Sequence, residues 1–88
     1  MKTKINESKV MEDGTVKAKI RSEGTHYVVE FIKHEDGYKY TVLDDWCDIL
    51  VSRSCPSLFK LFQYLADDMK CTLTKLTDVI EVVELSLK

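Results

Sequence analysis

The chain has few of the residues that build most catalytic and ligand-binding motifs. Its three glycines are scattered, and none opens a Gly-rich loop into a helix, so no phosphate-cradling fingerprint is present. Its three cysteines, Cys47, Cys55 and Cys71, are an odd number without close spacing. That pattern argues against a disulfide framework and against a zinc knuckle, and it favours a reducing compartment. No charge of one sign dominates, because 13 basic residues stand against 15 acidic ones. Neither a nucleic-acid field nor an acidic mimic of one is announced. No apolar run approaches the roughly 20 residues of a membrane span, and the polar stretch Met1 to Val10 has no signal-peptide core. The expectation is a cytoplasmic protein without a membrane partner.

Chemistry-bearing groups are equally sparse. Asp44, Asp45 and Asp48 crowd around Trp46 and Cys47, but the spacing lacks the central glycine and distal glutamate of a calcium loop. A solvated turn accounts for them, since Asp is a favoured turn residue. His26 and His34 stand apart from the cysteines at separations no zinc motif uses, and read as surface imidazoles. None of the cysteines carries a local acyl-transfer signature, and Cys55 or Cys71 reads as a small buried hydrophobe. No nucleophile elbow and no paired acid and base appear at a motif spacing. The chain is expected to be non-catalytic, with no cofactor and no metal.

What is present is a pattern of alternation. Apolar residues make up 44% of the 88 residues and charged ones 32%, the balance of a folded chain of one-domain length. Glu23-Gly24 and Asp36-Gly37 are two-residue turn signals between runs rich in β-branched and aromatic residues. Strands are expected over Thr15–Ser22, Thr25–His34 and Tyr38–Leu43, with a fourth over Ile49–Arg53. Counting outward from Glu23-Gly24 pairs Ile20 with Tyr27, Ala18 with Val29, Val16 with Phe31, Arg21 with His26 and Lys17 with Glu30. Counting outward from Asp36-Gly37 pairs Phe31 with Val42 and puts Lys33 beside Tyr40. Val16, Ala18, Ile20, Tyr27, Val29, Phe31, Tyr40 and Val42 then share one face. Residues 1–14, polar apart from Ile5, Val10 and Met11, read as a flexible arm, and 15–88 as a single α+β domain.

Ser54-Cys55-Pro56-Ser57 marks a helix start, with a serine to cap and Pro56 in the first turn. Leu58, Leu61, Phe62, Leu65, Ala66 and Met69 form an apolar stripe to about Lys70, while Lys60, Gln63, Asp67 and Asp68 face away. This helix is the lid for the apolar sheet face. Residues 73–88 fit either a strand, with Val79, Val83, Leu85 and Leu87 on one face, or a helix with a Leu73, Leu76, Ile80, Val83, Leu87 stripe. The density of Val and Ile favours an edge strand. The expected fold is therefore α+β: an antiparallel four- to five-stranded β-meander with one amphipathic helix packed on one face.

The other face of the sheet is the functional candidate. Lys17, Lys19 and Arg21 come from the first strand, Val28, Glu30 and Ile32 from the second, and Lys39 and Leu43 from the third. Aliphatic side chains within a rim of Lys, Arg and Glu have the anatomy of a protein interface. The reading is a non-catalytic protein–protein interaction module, an accessory protein or small inhibitor of phage or mobile-element type, binding another protein or forming a homodimer. The alternative is a nucleic-acid-binding domain, in which the same cations track a phosphate backbone with Tyr38 or Trp46 available for stacking.

Overall fold

The computed structural model describes residues 7–22 and 24–87. Five strands form one open antiparallel sheet in the order of the chain: β1 Glu7–Val10, β2 Val16–Ser22, β3 Thr25–His34, β4 Gly37–Leu43 and β5 Ile49–Cys55. Helix α1 spans Leu58–Met69, a 3₁₀ turn covers Leu73–Leu76, and helix α2 spans Thr77–Leu87. The molecule is an α+β meander with both helices on the same side of the sheet.

The first hairpin has the expected register, with Ile20 opposite Tyr27, Ala18 opposite Val29, Val16 opposite Phe31 and Ser22 opposite Thr25. Gly24 takes φ +80°, the positive value a tight hairpin turn requires. The second hairpin differs by two residues. Phe31 pairs with Tyr40, Val29 with Val42, and Lys33 with Tyr38, so Glu35 and Asp36 form the loop and Gly37 opens β4 opposite His34. The reason lies across the sheet. A Cβ on Gly37 would stand 2.5 Å from the Cys55 carbonyl oxygen and 3.0 Å from Pro56 Cα, so the glycine serves a close crossing and not the turn. A shift of two preserves the alternation, and every residue stays on its expected face.

The leading arm also differs from expectation. Residues 1–6 of it lie outside the described residues, but Glu7–Val10 pairs with β2, with Ser8 opposite Ala18 and Val10 opposite Val16. This short strand adds backbone hydrogen bonds along β2 without needing many apolar residues of its own, which is why its pattern is faint in the sequence.

Helix α1 starts three residues later than a cap at Ser54 would place it. Ser57 is its cap, its side chain accepting a hydrogen bond from the Lys60 N–H at 3.3 Å, and Pro56 closes β5 ahead of it. Lys70 ends the helix in the left-handed conformation. Leu61, Phe62, Leu65, Ala66 and Met69 are buried, as the stripe predicts. Asp68 departs from the outward-facing set: it turns to the sheet, where Tyr40 Oη donates to Oδ2 and Arg53 donates from Nε at 2.8 Å and from Nη2 at 3.2 Å.

The C-terminal segment is a helix, contrary to the edge-strand expectation. Leu76, Val79, Val83 and Leu87 are buried and Leu85 is 87% exposed. Sheet width explains this. Five strands at about 4.8 Å spacing are wider than one helix of about 10–12 Å diameter can cover. Helix α1 lies across β4 and β5, and α2 lies across β1, β2 and β3. The two helices and the inner sheet face enclose one core built on Val16, Ala18, Val29, Phe31 and Tyr40. Each large apolar side chain buried there contributes about 1.5–3 kcal/mol.

Candidate functional site

With both helices on one side, the opposite face of the sheet has no covering element among the described residues. The strand register places all eight expected partner-binding residues on it. Three cross-strand rows result. The first runs Glu7, Lys19, Val28, Leu43, Ile49, and the second runs Lys9, Lys17, Glu30, Thr41, Ser52. In the third, Ile32, Lys39 and Ser54 lie side by side. Arg21 and His26 pair beyond the first row.

Lys17, Lys19 and Arg21 are exposed, whereas Val28, Glu30, Ile32, Lys39 and Leu43 are half-buried by their neighbours on the sheet. Lys17 Nζ stands 3.9 Å from Glu30 Oε1, a cross-strand pair open to water and worth little to stability. One member of the site comes from a backbone irregularity. The register steps between Val42 and Leu43, so that Val42 faces Val51 while Leu43 faces Ile49, and Leu50 becomes the extra residue. Ile49 thereby joins Val28 and Leu43 and remains 67% exposed. A run of Ile-Leu-Val carries no sign of which residue the bulge will skip, so Ile49 is not legible in the sequence as a member of this face.

The face carries Lys9, Lys17, Lys19, Arg21 and Lys39 against Glu7 and Glu30, a charge of +3 on a chain whose formal total is −2. The charge is therefore segregated even though the totals nearly balance. The strand positions of this face hold no Phe, Tyr or Trp, and its rings are the imidazoles of His26 and His34. Tyr38 pairs with Cys55 and lies on the helix side, and Trp46, 84% exposed, sits in the loop after β4. That loop is organised by Asp44, whose Oδ1 accepts from the N–H groups of Trp46 and Asp48, each at 2.9 Å. Cys47, in the same loop, has φ +64°.

The other chemistry-bearing groups stay dispersed. Among the described residues no three His, Cys, Asp or Glu side chains are placed to hold a metal ion. Cys47 is exposed, Cys55 buried and Cys71 half-buried, and burial pushes the Cys55 and Cys71 thiols up. Among the described residues no helix is long and apolar enough to cross a membrane. Comparison with protein-family models, with curated proteins and with solved structures returned no match for this chain.

Proposed function

We propose that the chain is a non-catalytic protein-interaction module, an accessory or inhibitory partner that engages another protein through the outer face of the sheet. The observation that carries this reading is the row Val28, Leu43, Ile49, with Ile32 nearby, uncovered and bordered by Lys17, Lys19, Arg21, Glu30 and Lys39. Aliphatic groups flanked by ionic ones suit a protein surface, where the apolar centre loses water and the charges set orientation. A second reading, nucleic-acid binding, draws on the excess of five cations over two anions across the same strands. It is the weaker of the two, because single-strand recognition on a sheet relies on aromatic platforms and this face presents aliphatic side chains.

The experiment is affinity capture from the native host with the wild-type chain and with Val28→Lys and Ile32→Glu, each bound protein being identified by mass spectrometry. A partner retained by the wild type and lost from both variants supports the module. A partner retained by both variants overturns the choice of surface. Titration of a random-sequence duplex and a single strand tests the second reading. Binding that weakens steeply with salt and falls uniformly on replacing Lys17, Lys19 or Arg21 with Ala would replace the protein reading with the nucleic-acid one.

A further inference from the structure

The geometry points to a second interface, independent of the outer face: the free edge of β5 and the adjoining stripe of α1 pair with a second copy of this chain about a two-fold axis. Two five-stranded sheets become one sheet of ten strands.

The edge is long, and the bulge at Leu50 interrupts only its first residues, leaving Val51 to Cys55 in regular pairing. Strand β5 is the outermost strand on its side and spans seven residues, against four for β1 at the other edge. It contains no proline and no lysine, and its one charged residue, Arg53, is turned inward onto Asp68. Leu50, 51% exposed, lies along it, while Ile49 belongs to the outer face. Folded proteins normally cover or blunt such an edge.

The occupant follows from the order of charges above the edge. The Arg53 guanidinium stands 5.5 Å from the centre of the Tyr64 ring and also holds Asp68, so this side of α1 overlooks β5. Lys60 precedes Tyr64 by four residues and Asp67 follows it by three, which places them on one helical stripe. Lys60 and Asp67 are exposed and Tyr64 is 45% exposed. The stripe reads cation, aromatic, anion. A copy turned antiparallel reads anion, aromatic, cation, so the stripe is complementary to itself.

A two-fold axis perpendicular to the sheet, beside Ser52 at the middle of β5, produces this arrangement. It pairs β5 with itself in antiparallel fashion and sets α1 antiparallel to its copy. Lys60 then meets the partner's Asp67, and the reverse pair forms on the other side of the axis. The spacing agrees. Because α1 lies across β4 and β5, its axis sits about half a strand spacing inside β5. Two half spacings plus one new strand pairing separate the helices by about 9.6 Å, within the roughly 8–10 Å of packed helices. The same axis leaves both outer faces on one side of the joined sheet, presenting the +3 surface twice.

Sedimentation equilibrium on the full chain, from micromolar to submillimolar concentration, tests the proposal. The wild type is expected to dimerise. Lys60→Glu and Asp67→Lys each act at two symmetric contacts and are expected to weaken the dimer about tenfold or more, with wild-type circular dichroism. The double variant Lys60→Glu/Asp67→Lys restores the charge pairing and is expected within about threefold of wild type. Val28→Lys, on the outer face, is expected to leave the dimer intact. A chain that stays monomeric throughout overturns the proposal, as does a dimer indifferent to both single changes or one the double change fails to restore. A dimer lost in Val28→Lys also overturns it, because association would then run through the sheet face.

Discussion

The carboxylate of Asp68 accepts hydrogen bonds from Tyr40 on β4 and from Arg53 on β5, tying α1 to two strands at once. Removing it in Asp68→Ala leaves the hydroxyl of a fully buried tyrosine without its acceptor, at a cost of about 1–3 kcal/mol, to be read from the urea midpoint. The Arg53 bonds hold the Asp68 carboxyl below its ordinary value. The unfolded chain therefore takes up that proton at a higher pH than the folded one. The stabilisation is full above the ordinary carboxylate range, near pH 4, and is lost as pH falls through the lowered folded value. Stability measured over this acid window is expected to fall less steeply in Asp68→Asn than in the wild type. Gly37 gives a second residue-scale expectation. Gly37→Ala forces a Cβ against the Cys55 carbonyl at a φ of +155°, and the backbone conformation alone is expected to cost about 1–3 kcal/mol. A lowered midpoint together with a perturbed Cys55 amide resonance would register it. Neither effect follows from a residue's chain neighbours, because Asp68 lies 28 positions from Tyr40 and Gly37 meets Cys55 at the far end of the following strand.

At the scale of elements, the C-terminal segment is where periodicity and propensity disagree. Its Val and Ile content suits a strand, yet the residues buried in the structure, Leu76, Val79, Val83 and Leu87, recur at three and four. A strand would have extended an edge and left the inner faces of β1, β2 and β3 wet. A helix closes that half of the core, so tertiary demand overrides local preference. Leu85 discriminates the two arrangements, since a strand would put it on the buried face with Val83. Leu85→Glu is expected to change stability by less than about 0.5 kcal/mol, while Val83→Glu, which puts a charge into the core, is expected to prevent folding. Thermal denaturation of the two variants checks this. The amphipathic stripe of α1 and the alternation of β2 and β3 were readable because each matches one period throughout. The bulge that redirects Ile49 and the short strand β1 were not, because backbone pairing with β4 and β2 defines them and carries no side-chain signature.

For the whole molecule, the segregation of charge matters more than its total. On the proposed protein-binding role, a face of +3 on a chain of −2 would steer an acidic partner toward the outer strands, and affinity for such a partner is expected to fall with rising salt. Val28→Lys and Ile32→Glu are expected to hold stability within about 1 kcal/mol of wild type, because neither side chain packs into the core. Equilibrium unfolding separates this outcome from a collapse of the fold, and so isolates loss of binding from loss of structure. The amino-acid sequence alone determined which side chains lie on which face of the first hairpin and of the sheet built on it, because a two-residue period tolerates a slip of two without exchanging faces. It equally determined the buried stripe of α1. Only the tertiary structure decided that two helices share the inner face, that β1 forms one edge and β5 the other, and that Ile49 extends the aliphatic row. Those outcomes depend on sheet width, strand pairing and backbone clearance, which are properties of elements brought together across the chain.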